Sequence, residues 1–318
     1  MSHLREATPS FYYVKTMERT YDFSACRLCP RACGVNRLQG SGFCGAGDEM
    51  QIARAALHFW EEPCISGKEG SGTIFFSGCT LGCVFCQNGE ISRKKQGKAL
   101  FGKVISKEEL QRIAFDLKAQ GANNINLVTP CHYAPLVREA LLPIKERLNI
   151  PIVVNTGGYD ALTQLSFFEG LADIYLPDFK FLWAQSAKDY AHAPDYPQVC
   201  LAAITEMVRQ VGAPKFDDRG MLKSGVIVRH LILPGKRKES MEILRTLRAH
   251  FAPEDLLLSL MSQYAPMPGV PKELDRKITT FEYQSVMGLA EELSFAGYFQ
   301  DRASASTDYI PPFDLTGV

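Results

Sequence analysis

From about residue 73 onward the chain alternates short, continuous apolar runs with longer stretches whose apolar residues recur every three or four positions. The continuous runs predict strands buried on both faces of a parallel sheet. They fall at residues 73–76, 125–128, 152–154, 174–176, 226–233 and 256–261. The three-to-four spacing predicts helices at 106–120, 134–148, 160–169, 197–211 and 238–251, with a last one running to 296. Ser106 and Glu109 form a capping box, and Leu110, Ile113, Ala114 and Leu117 make one apolar stripe ending at Gly121. Thr279 and Glu282 offer the same box to the last helix, and Pro143 should bend the second.

About six strand–helix units in order predict an α/β chain folded as a partial TIM-type (β/α)6 barrel. In that architecture chemistry sits on loops at the C-terminal strand ends. Residues 1–68 are different: rich in Cys, Gly and Arg, with little periodicity. They read as a small cysteine-rich metal-binding module, 69–299 as the barrel, and 300–318, with Pro311-Pro312, as an extended tail.

Composition narrows the picture. At 318 residues and 46% apolar the chain can build a full core. Thirty-five basic residues balance 35 acidic ones, which argues against a global nucleic-acid binder. No apolar run approaches the roughly 18 residues of a spanning helix, and the first 20 residues lack the apolar core of a signal peptide. The expectation is a cytoplasmic protein without a membrane partner. Eight of its ten cysteines lie within the first 86 residues, so metal binding is expected rather than disulfides.

Cys79, Cys83 and Cys86 are spaced Cys-x3-Cys-x2-Cys directly after the first predicted barrel strand, with Phe85 before the third. Clustered thiolates select iron–sulfur, zinc or copper(I). Three ligands on a four-iron cubane leave one iron open, and an open coordination site is a chemical tool. A structural zinc site would need a distant fourth ligand here. Cys26, Cys29, Cys33 and Cys44 form a second set that fits neither the standard zinc pairing nor ferredoxin spacing. Zinc, an auxiliary iron–sulfur cluster and no metal all stay open for it. Cys64 is an alternative ligand, while Cys131 and Cys200 read as isolated thiols.

The triplet, its aromatic and its strand context resemble the radical S-adenosylmethionine (SAM) superfamily. The run from Cys26 to Arg37, Glu61 to Gly67, and Cys86-Gln87-Asn88 resemble the pyruvate formate-lyase activating enzyme-like branch, in its uncharacterised members, over nearly the whole chain. The resemblance implies a [4Fe-4S] cluster on Cys79, Cys83 and Cys86. It implies SAM on the fourth iron, one-electron cleavage to a 5′-deoxyadenosyl radical, and an electron donor such as flavodoxin or ferredoxin. It also implies that Asp178 and Lys180 bind SAM, the lysine through its carboxylate, and that His230 lies near ribose and adenine. Asn155 and Thr156, beside two glycines, suit close approach to a ribose. The family's Gly-Gly-Glu is replaced by Thr129-Pro130-Cys131-His132. Thr129 or its neighbouring carbonyls then become candidates for the SAM ammonium, and His132 faces cofactor or substrate. Gln263 to Met267 would line the barrel mouth, with Tyr264 as a substrate contact or a packing residue. The resemblance makes a protein glycine the leading substrate, as in glycyl radical enzyme activation. Radical modification of another protein or peptide, and an electron-transfer or metal-binding protein that never cleaves SAM, are the alternatives.

Overall fold

The structure, a computed structural model, describes residues 21–93, 99–299 and 311–318. The first 20 residues and positions 300–310 of the expected tail lie outside the described residues. The strands are β1 (Met50–His58), β2 (Ser71–Phe76), β3 (Lys103–Ile105), β4 (Ile125–Val128), β5 (Ile152–Thr156), β6 (Ile174–Pro177), β7 (Lys215–Phe216), β8 (Leu222–Leu231), β9 (Leu257–Met261) and β10 (Gly297–Phe299). Their order in the sheet is β10-β9-β8-β6-β5-β4-β2-β1-β3, with the short β7 beside β8.

From β2 through β4, β5, β6, β8 and β9 to β10 every pairing is parallel, and each strand lies beside the one that precedes it in that series. That singly wound order is the order of a (β/α) barrel. Among the described residues β10 and β3 end the path, so the barrel is partial. All six predicted strands are present. Four further strands, β1, β3, β7 and β10, carry no such signal in the sequence. β1 pairs antiparallel with β2 and with β3, and three-residue β10 extends the parallel series. β1 falls within the stretch read as the N-terminal module.

Both predicted capping boxes form, at Ser106–Glu109 and Thr279–Glu282. The second helix breaks where proline dictates, with Ala134–Leu141, a tighter turn at Leu142–Ile144 and Lys145–Leu148 in succession. The helix expected over 160–169 shrinks to the single turn Leu162–Leu165, and an unforeseen helix covers Ala184–Ala191.

Side-chain alternation along the strands separates two apolar layers. Ile152, Val154, Tyr175, Val226, Val228, Leu258 and Leu260 belong to the large core that includes the helices. Val153, Ile174, Leu176, Ile227 and Leu257 form a separate layer, in which they meet Cys64 and Ile65 of the short helix Pro63–Ser66. A period of two places alternate residues on opposite faces. The β1–β2 connection therefore plugs the inner face of the sheet, and it carries Glu61 and Glu62 there. Residues 311–318 lie along β1. Ala55 N–H donates to Thr316 O at 2.9 Å, and Phe313 packs on Phe75.

Candidate active site

The loop after β2 carries the cysteine triplet and is fixed along its length. Gly78 N–H donates to Ile91 O, Val84 N–H to Tyr190 O, and Cys86 N–H to Cys83 O. Cys79 Sγ accepts the Leu81 N–H at 3.4 Å. The loop borders a cavity of about 260 Å³ that gathers side chains from several strand ends. Cys79, Cys83, Phe85 and Cys86 line it with Thr129 after β4, Asn155 and Thr156 of β5, Asp178 and Lys180 after β6, and Arg229 of β8. Glu61, Trp60 and Gln263 line it too.

One ion-pair network forms part of its wall. Asp178 accepts from Lys180 Nζ through Oδ2 and from Arg229 Nε through Oδ1, the latter at 2.9 Å. Arg229 also meets Glu61 Oε2 at 3.3 Å and donates to Asn155 Oδ1. Asn126 of β4 donates to Glu61 Oε1 at 3.0 Å. Burial alone would raise the Asp178 carboxyl, but the Arg229 and Lys180 charges more than offset it and hold it below the usual range. Burial opposes the Lys180 charge, yet the Asp178 carboxylate leaves that ammonium more firmly protonated than usual. For Glu61 and Glu62 burial wins over the pull of Arg229, and both carboxyls are pushed up.

Thr129 is strained. A β-branched residue rarely adopts positive φ, and Thr129 sits at φ 58°. Its N–H donates to Asn155 O at 2.8 Å, which holds the turn against the next strand. The strain lies at the end of β4, where Thr129 borders the cavity.

Two predicted residues do not border this cavity. His230 is buried behind it, with Nδ1–H donating to Phe179 O at 2.6 Å and Nε2 without a partner. Burial drops its pKa to about 4. His132 gives Nε2–H to Ser77 O at 2.9 Å, leaves Nδ1 unpartnered, and is pushed by burial to about 3. It lines a second, small pocket with Cys26, Cys29, Cys33 and Cys44. Tyr264 is buried, donating to Leu274 O at 2.8 Å and packing edge-on to Phe85. Sequence reasoning assigned no role to Glu61 or Arg229. Both stood in runs it had singled out, but their network spans five separate segments of the chain.

The thiols suit a metal centre that supplies the charge to hold them as thiolates. Burial pushes Cys79 and Cys83 up, Cys83 to about 11 even with Lys180 opposing, so bare thiols stay protonated at neutral pH. Among the described residues no three His, Cys, Asp or Glu side chains converge as the ligands of one metal ion would. A cluster places each thiolate on a different iron and makes no such demand.

No family model matches the chain. An uncharacterized protein, MJ0674 of Methanocaldococcus jannaschii, is 26% identical over 276 residues, which is 85% of this chain and 75% of that protein. Among solved structures, Streptococcus suis SuiB bound to S-adenosylmethionine is 12% identical with a TM-score of 0.47, over 70% of this chain and 47% of that one. Methylornithine synthase (PylB) is 17% identical with a TM-score of 0.46, over 69% and 60%. The FeFe-hydrogenase maturase HydG of Carboxydothermus hydrogenoformans is 13% identical with a TM-score of 0.48, over 75% and 56%. The chain spans about half the length of these solved structures. No described helix is long and apolar enough to cross a membrane.

Proposed function

We propose that this chain is a radical SAM enzyme and that its cysteine triplet and the polar strand ends around it form one active site. The observation that carries the reading is that Cys79, Cys83 and Cys86 share a single cavity with Lys180, Asp178, Asn155 and Thr156. When bound there, a [4Fe-4S] cluster with SAM supplies one-electron cleavage of a sulfonium carbon–sulfur bond and hence a hydrogen-abstracting radical.

The chain's own contribution is positioning and charge. Lys180 presents a firmly protonated ammonium, suited to a ligand carboxylate. Asp178 keeps Lys180 and Arg229 fixed from one side, and Arg229 ties that pair to Asn155. Thr129 offers a hydroxyl and its strained turn at the position where the related branch carries a carboxylate. Leu81, Phe85, Val128 and Leu231 give the cavity apolar walls that help exclude water. His230 stays neutral at physiological pH and braces the Asp178-Phe179-Lys180 turn through the Phe179 carbonyl.

The reading extends to a protein glycine as substrate and to a flavodoxin- or ferredoxin-type electron donor. Both rest on the sequence resemblance. The test is anaerobic: reconstituted, reduced protein should convert SAM to methionine and 5′-deoxyadenosine, and Cys83→Ala should abolish the product. A glycyl radical on a candidate partner, seen by electron paramagnetic resonance, supports activation. A mass change in a peptide without that signal replaces it with peptide modification.

A further inference from the structure

The second pocket holds what the active-site cavity does not explain. It is lined by Cys26, Cys29, Cys33, Cys44, Arg31, Arg37 and His132. Arg37 is only 2% exposed, and among the described residues no carboxylate forms an ion pair with it. Its guanidinium is held by the carbonyls of Gly47 and His132, lies 3.9 Å from Cys26 Sγ, and stacks on Phe23. A buried cation is costly unless an anion balances it. Four neutral thiols do not, whereas four metal-bound thiolates do. His132 adds a second sign. Its Nε2–H is committed to Ser77 O, and its buried Nδ1 is an unpartnered lone pair on a residue that lines the same pocket.

The pocket is also joined to the active-site loop. Cys79 N–H donates to Cys44 O at 3.2 Å. Gly78 makes that approach possible: at φ 93°, a Cβ there would lie 2.5 Å from Cys44 O and 3.1 Å from His132 Nε2. Arg31 pins the same junction, with Nε donating to Thr80 O at 2.9 Å and its other nitrogens to the carbonyls of Ala191 and His192. From Cys44 Sγ the path runs through Cβ, Cα and the carbonyl, crosses one hydrogen bond, and continues through Cα and Cβ of Cys79 to its Sγ. A purely structural ion needs no such link.

We infer that Cys26, Cys29, Cys33 and Cys44 hold a second iron–sulfur centre, balanced by Arg37, that relays electrons to the centre at Cys79. One electron enters from a reduced one-electron carrier, which is oxidised by one. It leaves to the Cys79 centre, which is reduced by one, and no proton moves. The relay rests on the function proposed above, but the presence of the second centre does not.

The experiment reconstitutes the whole chain anaerobically with ferrous iron and sulfide, then counts iron, sulfide and zinc. The wild type is expected to hold about eight iron and eight sulfide per chain, as two four-iron clusters. The triple variant Cys79→Ala/Cys83→Ala/Cys86→Ala should keep about half of that iron. In the dithionite-reduced wild type the two paramagnetic centres should broaden each other's resonance, and the triple variant should show one simple signal. Zinc or no metal in the triple variant overturns the inference, as do two uncoupled signals in the wild type. A two-cluster protein that never cleaves SAM would sink the proposed function and leave the second centre standing. Cys29→Ala/Cys33→Ala should lose the other half of the iron, and if that variant fails to fold, the wild-type and triple-variant counts decide alone.

Discussion

Arg229 Nε donates to Asp178 Oδ1 at 2.9 Å and so ties the end of β6 to the C-terminal part of the neighbouring β8 in the wall of the candidate cavity. The same guanidinium meets Glu61 from the β1–β2 connection and Asn155 from β5. One buried cation thus organises residues that the chain separates by as many as 168 positions. Replacing it should be severe. Arg229→Met leaves Glu61 buried without its counterion and Asp178 with Lys180 alone, and breaking a buried pair costs about 3–5 kcal/mol. Urea unfolding of the metal-free protein should register that loss. A loss below about 1 kcal/mol, the range of exposed pairs, would contradict the network's role.

Lys180 should behave differently. Lys180→Met removes the ammonium proposed to meet a ligand carboxylate but leaves Asp178 paired with Arg229. SAM affinity should fall by about 1.5–3 kcal/mol, roughly ten- to a hundredfold, with iron content unchanged. Equilibrium binding to the reconstituted protein checks this. Equal affinity in the two proteins would remove Lys180 from the ligand site.

His230 predicts a pH dependence. Burial lowers its folded pKa to about 4 from the ordinary 6.5. Between those values the unfolded chain binds the proton and the folded chain does not, so stability falls as pH drops through that window. Below about 4 the loss is complete. At about 1.4 kcal/mol per unit, this residue alone should cost about 2 kcal/mol between pH 7 and pH 5. Urea midpoints at the two pH values, compared between wild type and His230→Gln, isolate the effect. Equal pH slopes would show that His230 is not held neutral by the fold.

Gly78→Ala tests the contact between the two cysteine loops. The added methyl would lie 2.5 Å from Cys44 O, on backbone at φ 93°. A cost of about 1–3 kcal/mol is expected from the strained backbone, with the Cys44–Cys79 hydrogen bond lost. Amide hydrogen exchange at Cys79 should then accelerate. Unchanged protection would mean that the loops do not touch as described.

The six inner strands were legible because they are buried on both faces and therefore continuously apolar. The capping boxes at Ser106 and Thr279 were legible because capping is local. β1 was not, because Ala53, Arg54, Ala55 and Ala56 carry no strand preference, and the segment is a strand only through β2 and β3. β10 has three residues and exists through its pairing with β9. The cavity shows the same division. The cysteine triplet lies within eight residues and announces itself. Glu61 becomes a site residue only when Asn126 and Arg229 arrive from other strands, a juxtaposition with no local signal.

The most direct test of the account is product analysis on anaerobic, reduced, iron-loaded protein given SAM. The account predicts 5′-deoxyadenosine and methionine in equal amounts from the wild type and none from Cys83→Ala. A wild-type protein with its Cys79 centre intact that leaves SAM uncleaved, or a Cys83→Ala variant that still cleaves it, would contradict the account.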